Sequence, residues 1–488
     1  MGEKEFFAQQ PLDTLLEVPE DDLEPLAHQP LAEPHHEMDS SIDYLDYIRK
    51  MPNIAHAEPA KMDEIFLQPG GTRLETSEFG EMYPDWKGVK RPAHLHVTDE
   101  VNPIRVGIRN VGMVEHPPVD ERLVEKVYED LYDNLKDKLT WPVGRRQLTF
   151  EEAVFGIPGV FAGMNLATSP GYPLKRQATE PGKRDFIKIH ADETKWTAPI
   201  LKPAVEAYLE RMNSGELPEN IWLGYLKDEL VSPQKRAEGR TRIIFCGNMI
   251  ATIANRMRYG ALLIAINYAW NNTSFSIGAN QYSFDFDSFY NYLTEHGGKK
   301  FVAGDYRMFD QRFHPLFHRK SYELLLRLLG NVGNSSAADR AFIAGEIESP
   351  FVIGGYKIWP KHYHMSGCLF TSIVNSVQNE AYLRYCFTRL NPRLTFEDYI
   401  RCKVMGDDHV ICVREGCHFS GRNLKRAMVE LGQEYTSDDK DKPDPGTYRP
   451  FEKCTYLGAY PVRIEDKWVG ALKKSVIKQS ICWTRNKN

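Results

Sequence analysis

"VMGDDHVICV", Val404 to Val413, sets two adjacent carboxylates, Asp407 and Asp408, inside an apolar and β-branched run. The flanking Val, Ile and Cys residues favour a buried strand. Gly406 beside Asp407 is turn chemistry, so Cys402–Val413 is expected to form a β-hairpin with the carboxylates at its tip. A tip escapes the penalty that a carboxylate pair in mid-strand would suffer. One Asp in a turn is ordinary. Two adjacent ones repel, which raises a pKa unless a cation neutralises them.

A second carboxylate source lies upstream. "FVAGDYRMFDQRF", Phe301–Phe313, places Asp305 at the expected end of an apolar strand, Lys299–Tyr306, and Asp310 shortly after it. Strand-borne carboxylates converging on one cleft make an oxygen-ligand site for Mg²⁺. A pair of such ions clamps the attacking and leaving oxygens of a phosphoryl displacement. Asp305 alone would be only a turn or cap residue.

Two further stretches gain meaning beside these. In "HMSGCLFTSIVNSVQN", Ser366 and Gly367 form a flexible turn, and Gly367 allows close backbone approach to a ligand. Thr371 and Asn375 are one helical turn apart and share a face suited to a sugar hydroxyl, apart from the apolar stripe Val374, Val377, Ala381 and Tyr385. "YLKDELVSPQKRAEGRTRIIF" carries Lys227, Lys235, Arg236, Arg240 and Arg242 ahead of a strand-like end. Such a run can hold a triphosphate, or be a solvated loop.

The chain has 488 residues, 42% hydrophobic and 26% charged, ordinary for a globular protein with more than one subdomain. A net charge of −6 gives no global reason to expect a polyanionic partner, though basic residues can still cluster. Eight scattered cysteines contain no CxxC pair and read as reduced, buried thiols. Cys412, Cys417 and His418 fit no common zinc spacing. No apolar run is expected to span a bilayer, and the N-terminus lacks the features of a signal peptide. Residues 1–85 are acidic and Pro-punctuated, and read as a loose arm or a wrap over the surface. Helices are expected over Val119–Leu139, Ala198–Gly215, Asn248–Trp270 and from Leu369 to before Pro392.

Taken together and in this order, these stretches resemble the viral RNA-dependent RNA polymerases of the picorna-like group, over about Phe161–Tyr460. Asp305 and Asp310 resemble motif A; Ser366, Gly367, Thr371 and Asn375 motif B; Gly406-Asp407-Asp408 motif C; and the basic run motif F. Thr168, Ser169, Pro170, Gly171 and Tyr172, in "TSPGYPL", are similar to motif G of the template channel. "TSDDKDK" resembles motif D, with Lys440 at its lysine, and "CTYLGAYP" resembles motif E.

The resemblance implies an α+β right hand of fingers, palm and thumb, its palm an antiparallel sheet packed on helices. It implies fingers over 86–300 (with a palm helix near 248–270), palm over 301–460 and a short or incomplete thumb over 461–488. Two Mg²⁺ ions, with Mn²⁺ able to substitute, would be held by Asp305, Asp407 and Asp408. Asp310 and Asn375 would sense the ribose 2′-OH beside Ser366 and Thr371. Lys227, Arg242, Lys235 and Arg240 would meet the triphosphate, and Lys440 would protonate pyrophosphate. Implied partners are RNA template and product, ribonucleoside triphosphates, a small genome-linked protein primer and other replicase proteins. The implied location is the host cytoplasm, at membrane-associated replication complexes.

Three departures stand out. Met405 replaces the Tyr usual before GDD. Gly458-Ala459 stand where motif E has a basic residue, which puts the primer contact in doubt. The residues after Tyr460 are few for a thumb. The rivals are a reverse transcriptase, which would carry an aromatic gate near Asp310, and a catalytically weak RNA-binding replicase subunit. A cysteine protease is disfavoured because "SGCL" lacks the Gly expected after Cys368.

Overall fold

The structure, a computed structural model, describes residues 41–68, 70–330, 336–439 and 444–485. Its centre is a four-stranded antiparallel sheet in the order Ile400–Met405, Asp408–Val413, Lys300–Arg307, Glu434–Ser437. The sheet is buried on both faces. Val302, Tyr306, Val404, Ile411 and Val413 join a core built around the helix Thr371–Leu390. Phe301, Ala303, Val410 and Cys412 face Phe286, Phe289, Phe451 and Tyr456 on the other side. Burial on both faces explains why "VMGDDHVICV" is apolar nearly throughout instead of alternating.

A second, five-stranded sheet runs Ile54–Pro59, Tyr356–Pro360, Phe351–Ile353, Trp222–Leu226, Ile243–Cys246. Only the pairing of Phe351–Ile353 with Trp222–Leu226 is parallel. Residues 351–360, assigned from sequence to the palm, therefore belong to a sheet shared with the fingers segment.

The reading of 1–85 as a loose arm is also corrected in part. Residues 1–40 lie outside the described residues, but Ser41–Arg49 is a helix with Tyr44, Leu45 and Ile48 buried. Ile54–Pro59 forms an edge strand of the second sheet, where a terminal Pro is tolerated because one side needs no ladder donor.

The long helices span Glu121–Leu135, Leu201–Asn213, Met249–Tyr268 and Thr371–Leu390. Met249–Tyr268 is the one described helix that passes for a bilayer-spanning segment by length and composition alone, yet most of it is buried inside the molecule. At the C-terminal side, the hairpin Ala459–Ile464/Lys467–Leu472 leads into the helix Lys474–Ile481. The strand Trp483–Arg485 then pairs back on Leu74–Thr76, so this segment reaches the N-terminal region.

Candidate active site

The hairpin ladder closes with Met405 opposite Asp408, leaving Gly406 and Asp407 as a two-residue turn. Gly406 has φ +66°, a conformation in which a side chain would be strained. Asp407 is exposed at the apex. Asp408 is the first residue of the returning strand, and the tip does not spare it. Burial pushes its carboxyl up to about 8; the Leu457 N–H, 2.6 Å from Oδ2, opposes this, and Asp407, Asp305 and Asp438 add to the rise.

Asp305 is not at the end of its strand, which continues to Arg307. It sits where one neighbour stops. Gly304 is the last residue paired with the Asp408 strand, while Asp305 pairs with Thr436 on the other side. Alternation along the strand sends Tyr306 into the core, opposite to Asp305. Asp305 and Asp407 thus both lie close enough to Asp408 to repel its charge, and the three are hard oxygen donors whose repulsion a divalent cation would relieve. Among the described residues no three acidic, His or Cys side chains come close enough together to hold a metal ion by themselves. Such an open donor set suits Mg²⁺, which keeps waters and substrate phosphates in its shell.

Asp310 lies on the short turn of helix Phe309–Arg312, entered through Met308 at φ +59°. Burial raises its carboxyl to about 6, against the pull of the Asn375 hydrogen bond. Asn375 Nδ2 donates to Asp310 Oδ1 at 2.8 Å. Asn375 is buried, so the open helix face expected for Thr371 and Asn375 is a closed one; the helix is buried on nearly all sides. The Thr371 hydroxyl donates to the carbonyls of Ser366 (3.1 Å) and Cys368 (2.9 Å), fastening the loop ahead of the helix.

Gly367 also changes role. A Cβ there would stand 2.0 Å from the Phe245 carbonyl oxygen, so the close approach is to the strand Ile243–Cys246. Gly171, at φ +69°, meets the neighbouring Gly247 carbonyl in the same way, and Pro170 O accepts from Met249 N–H at 2.9 Å. The three stretches resembling motifs B, F and G therefore meet at residues 245–249. Ser169 Oγ accepts from Gly171 N–H, and the Tyr172 hydroxyl donates to Asp63 at 3.2 Å. Thr168 is clasped by Lys183, a buried cation that donates to its carbonyl at 3.0 Å and to its hydroxyl.

Of the basic run, Arg242 is brought to the carboxylates. Glu229 holds it through Nε (2.6 Å) and Nη2 and raises its proton affinity, with Asp310 and Asp407 adding to the effect. Lys227 shares Glu229 at 3.6 Å. Arg240 pairs instead with Glu238 at 3.1 Å, and Lys235 is exposed on the short helix Pro233–Ala237. Lys440 lies outside the described residues.

Sequence reading missed two supports. Lys183 stands in no motif, and its burial beside Thr168 is visible only in the fold. Leu457 reaches Asp408 through its backbone N–H, which no side-chain pattern announces. Leu457 (φ +53°) and Gly458 (φ +71°) form a tight turn between Tyr456 and Ala459, and Gly458 is suited to its second position. That turn gives a conformational reason for glycine where a basic residue was expected.

Carboxylates on adjacent antiparallel strands, a buried helix behind them and an arginine turned towards them define the palm of a template-directed nucleic-acid polymerase. Residues 117–488 match the family described as Viral RNA-dependent RNA polymerase. The replicase polyprotein of cricket paralysis virus is 25% identical over 445 residues, 82% of this chain and 24% of that polyprotein. The genome polyprotein of porcine enterovirus 9 is 24% identical over 453 residues, 90% of this chain and 19% of that one. The chain thus spans a quarter or less of these relatives' length. The Sicinivirus 3Dpol RNA dependent RNA polymerase superposes with a TM-score of 0.74, covering 89% of this chain and 88% of that one at 22% identity, which shows the fold. The chain belongs to the viral RNA-dependent RNA polymerase family, on its picorna-like side.

Proposed function

We propose that this chain extends an RNA 3′-OH, or a protein primer, with ribonucleoside triphosphates on the RNA template of a positive-strand virus. The observation that carries this reading is the grouping of Asp305, Asp407 and Asp408 beside the Asp310–Asn375 pair. The family uses divalent metal ions, and here Asp305 and Asp407 would hold two Mg²⁺, with Asp408 supporting them. Bound there, the ions would supply charge neutralisation for in-line displacement at the α-phosphorus.

The chain's own residues position the reactants. Arg242, oriented by Glu229, meets the triphosphate. Asp310 and Asn375 meet the ribose, and a hydrogen-bonding pair there suits a 2′-OH better than an aromatic gate would. Thr168–Tyr172 guide the template, and Lys440 donates the proton to pyrophosphate. A genome-linked protein primer, replicase partners and membrane-associated complexes in the host cytoplasm belong to this proposal; the polyprotein setting of the relatives supports the partners.

The test is extension of a primed homopolymer template with Mg²⁺ or Mn²⁺. Wild type should extend with ribonucleotides and Asp407→Ala should not. Equal extension by both, or a preference for deoxyribonucleotides, would refute the reading.

A further inference from the structure

The three carboxylates sit on two different strands and on a turn, so something must fix their spacing. The ladder cannot do so at the turn, because its last pair is Met405 with Asp408. Gly406 therefore needs partners for its own backbone groups. It finds them on the helix behind the sheet. Ser376 Oγ accepts from Gly406 N–H at 2.8 Å, while its own hydroxyl donates to Ser372 O at 2.6 Å. Asn379 Nδ2 donates to Gly406 O at 3.0 Å and to Asp408 O at 3.4 Å. Asn379 Oδ1 accepts from the Tyr306 hydroxyl at 3.1 Å. Ser376, Asn379 and Tyr306 are all buried.

We infer that Asn379, with Ser376, is a positioning residue that sets the distance between Asp305 and the Asp407–Asp408 turn, and so the affinity of the metal site. This deepens the polymerase reading and rests on it. One amide touches a residue beside each acid: Tyr306 follows Asp305, Gly406 precedes Asp407, and the third contact is the Asp408 carbonyl itself. Only the amide of Asn or Gln offers two N–H donors together with an acceptor, and Asn is the shorter. Asp would lose the donor and add a fourth negative charge to the group. An aliphatic residue would take the side-chain donor from the Gly406 carbonyl and leave the buried Tyr306 hydroxyl only the weak acceptor Met428 Sδ at 3.9 Å. Ser376 lies three residues earlier on the same helix face, so the two side chains hold the N–H and the carbonyl of one residue, Gly406.

The experiment compares wild type with Ser376→Ala, Tyr306→Phe and Asn379→Ala. Ser376→Ala deletes the one side-chain bond to Gly406 N–H, and Tyr306→Phe the one bond to Asn379 Oδ1, and both keep the proposal testable if Asn379→Ala does not fold. Mn²⁺ binding to the RNA-free protein is read by electron paramagnetic resonance, and amide exchange is read over residues 405–408. Folded Ser376→Ala and Tyr306→Phe should each bind Mn²⁺ about fivefold more weakly, as expected for one hydrogen bond lost from the clamp on the turn, and folded Asn379→Ala more weakly than either. Exchange at the turn should speed up while the rest of the sheet stays protected. In extension assays the half-saturating Mg²⁺ should rise and kcat should fall, with KM for nucleotide within about twofold of wild type. If Asn379→Ala folds, the Tyr306→Phe/Asn379→Ala double variant should lose less than the two single losses multiplied. Unchanged Mn²⁺ affinity and turn exchange in folded Ser376→Ala and Tyr306→Phe would overturn the proposal. A wild type that binds Mn²⁺ but extends nothing would overturn the polymerase reading instead, and the binding comparison would still decide this one.

Discussion

Asn375 donates to Asp310 through Nδ2 at 2.8 Å, while its own Oδ1 is buried without a hydrogen-bond partner. A buried acceptor left unmade is costly, so such a group marks a place where a donor belongs. A ribose 2′-OH is such a donor. Asp310→Ala and Asn375→Ala should each cut the preference for ribonucleotides over deoxyribonucleotides by roughly 10–100-fold, the range for a hydrogen bond to a charged group. Competitive single-nucleotide incorporation measures this. A fall in both rates with the ratio intact would show that the pair only supports the fold.

Arg242 is held edge-on by Glu229 through Nε and Nη2. A guanidinium fixed by two bonds is pre-oriented for a second anion, which a lysine ammonium is not. Arg242→Lys keeps the charge and loses the fork, so KM for nucleotide should rise about tenfold with a smaller change in kcat. Because the charge is kept, the ratio of the two KM values should change little with ionic strength. If Arg242→Lys and wild type shared one KM, Arg242 would have no part in holding the triphosphate.

The hairpin was legible because its signals are local: a β-branched run, then Gly-Asp, then another run. The helix from Thr371 was legible from its length and from Pro392. The edge strand Ile54–Pro59 was not, since its partner Tyr356–Pro360 lies some three hundred residues away and its sequence carries a Pro, a His and a Glu. The resemblance named Asp310 and Asn375, but spacing could not show that they bond to each other. Gly367 was legible as a special glycine; what approaches it was not, because close approach by a ligand and by a neighbouring strand leave the same mark in sequence. Leu457 acts through its own backbone N–H, and Ser376 and Asn379 act on backbone groups of a distant turn; such contacts leave no residue-type signature.

Asp408 holds its proton to about pH 8 in the metal-free protein, mainly through burial. Its unfolded value is near 4. As pH rises from about 4 to about 8, the folded state is increasingly penalised for burying the ionised form, so this site's contribution to stability falls. A bound cation removes the penalty but must displace the proton first. Half-saturating Mg²⁺ should therefore decrease between pH 6 and 8, by up to about tenfold per pH unit. The rise in Tm on adding Mg²⁺ should be larger at pH 8 than at pH 6. Asp408→Asn should flatten both trends. A Mg²⁺ requirement independent of pH in wild type would contradict the assignment of Asp408 to the metal site.

Glu346 gives a second titration, independent of any metal. It lies on the helix Ser336–Ile347, accepts from Asn255 Nδ2 at 3.3 Å, and is buried. Burial lifts its carboxyl to about 7, while interactions with Cys368 and Tyr322 partly oppose the lift. Because the folded value lies above the unfolded one, stability is complete below about pH 4.5 and declines as pH rises towards 7. Glu346→Gln cannot ionise and keeps an acceptor for Asn255. Relative to wild type it should be close to neutral at pH 4.5 and more stable at pH 8 by at most about 3 kcal/mol. Urea midpoints across that range measure the difference. A gap that stays constant with pH would mean that Glu346 titrates alike in the folded and unfolded states, with Cys368 and Tyr322 offsetting burial.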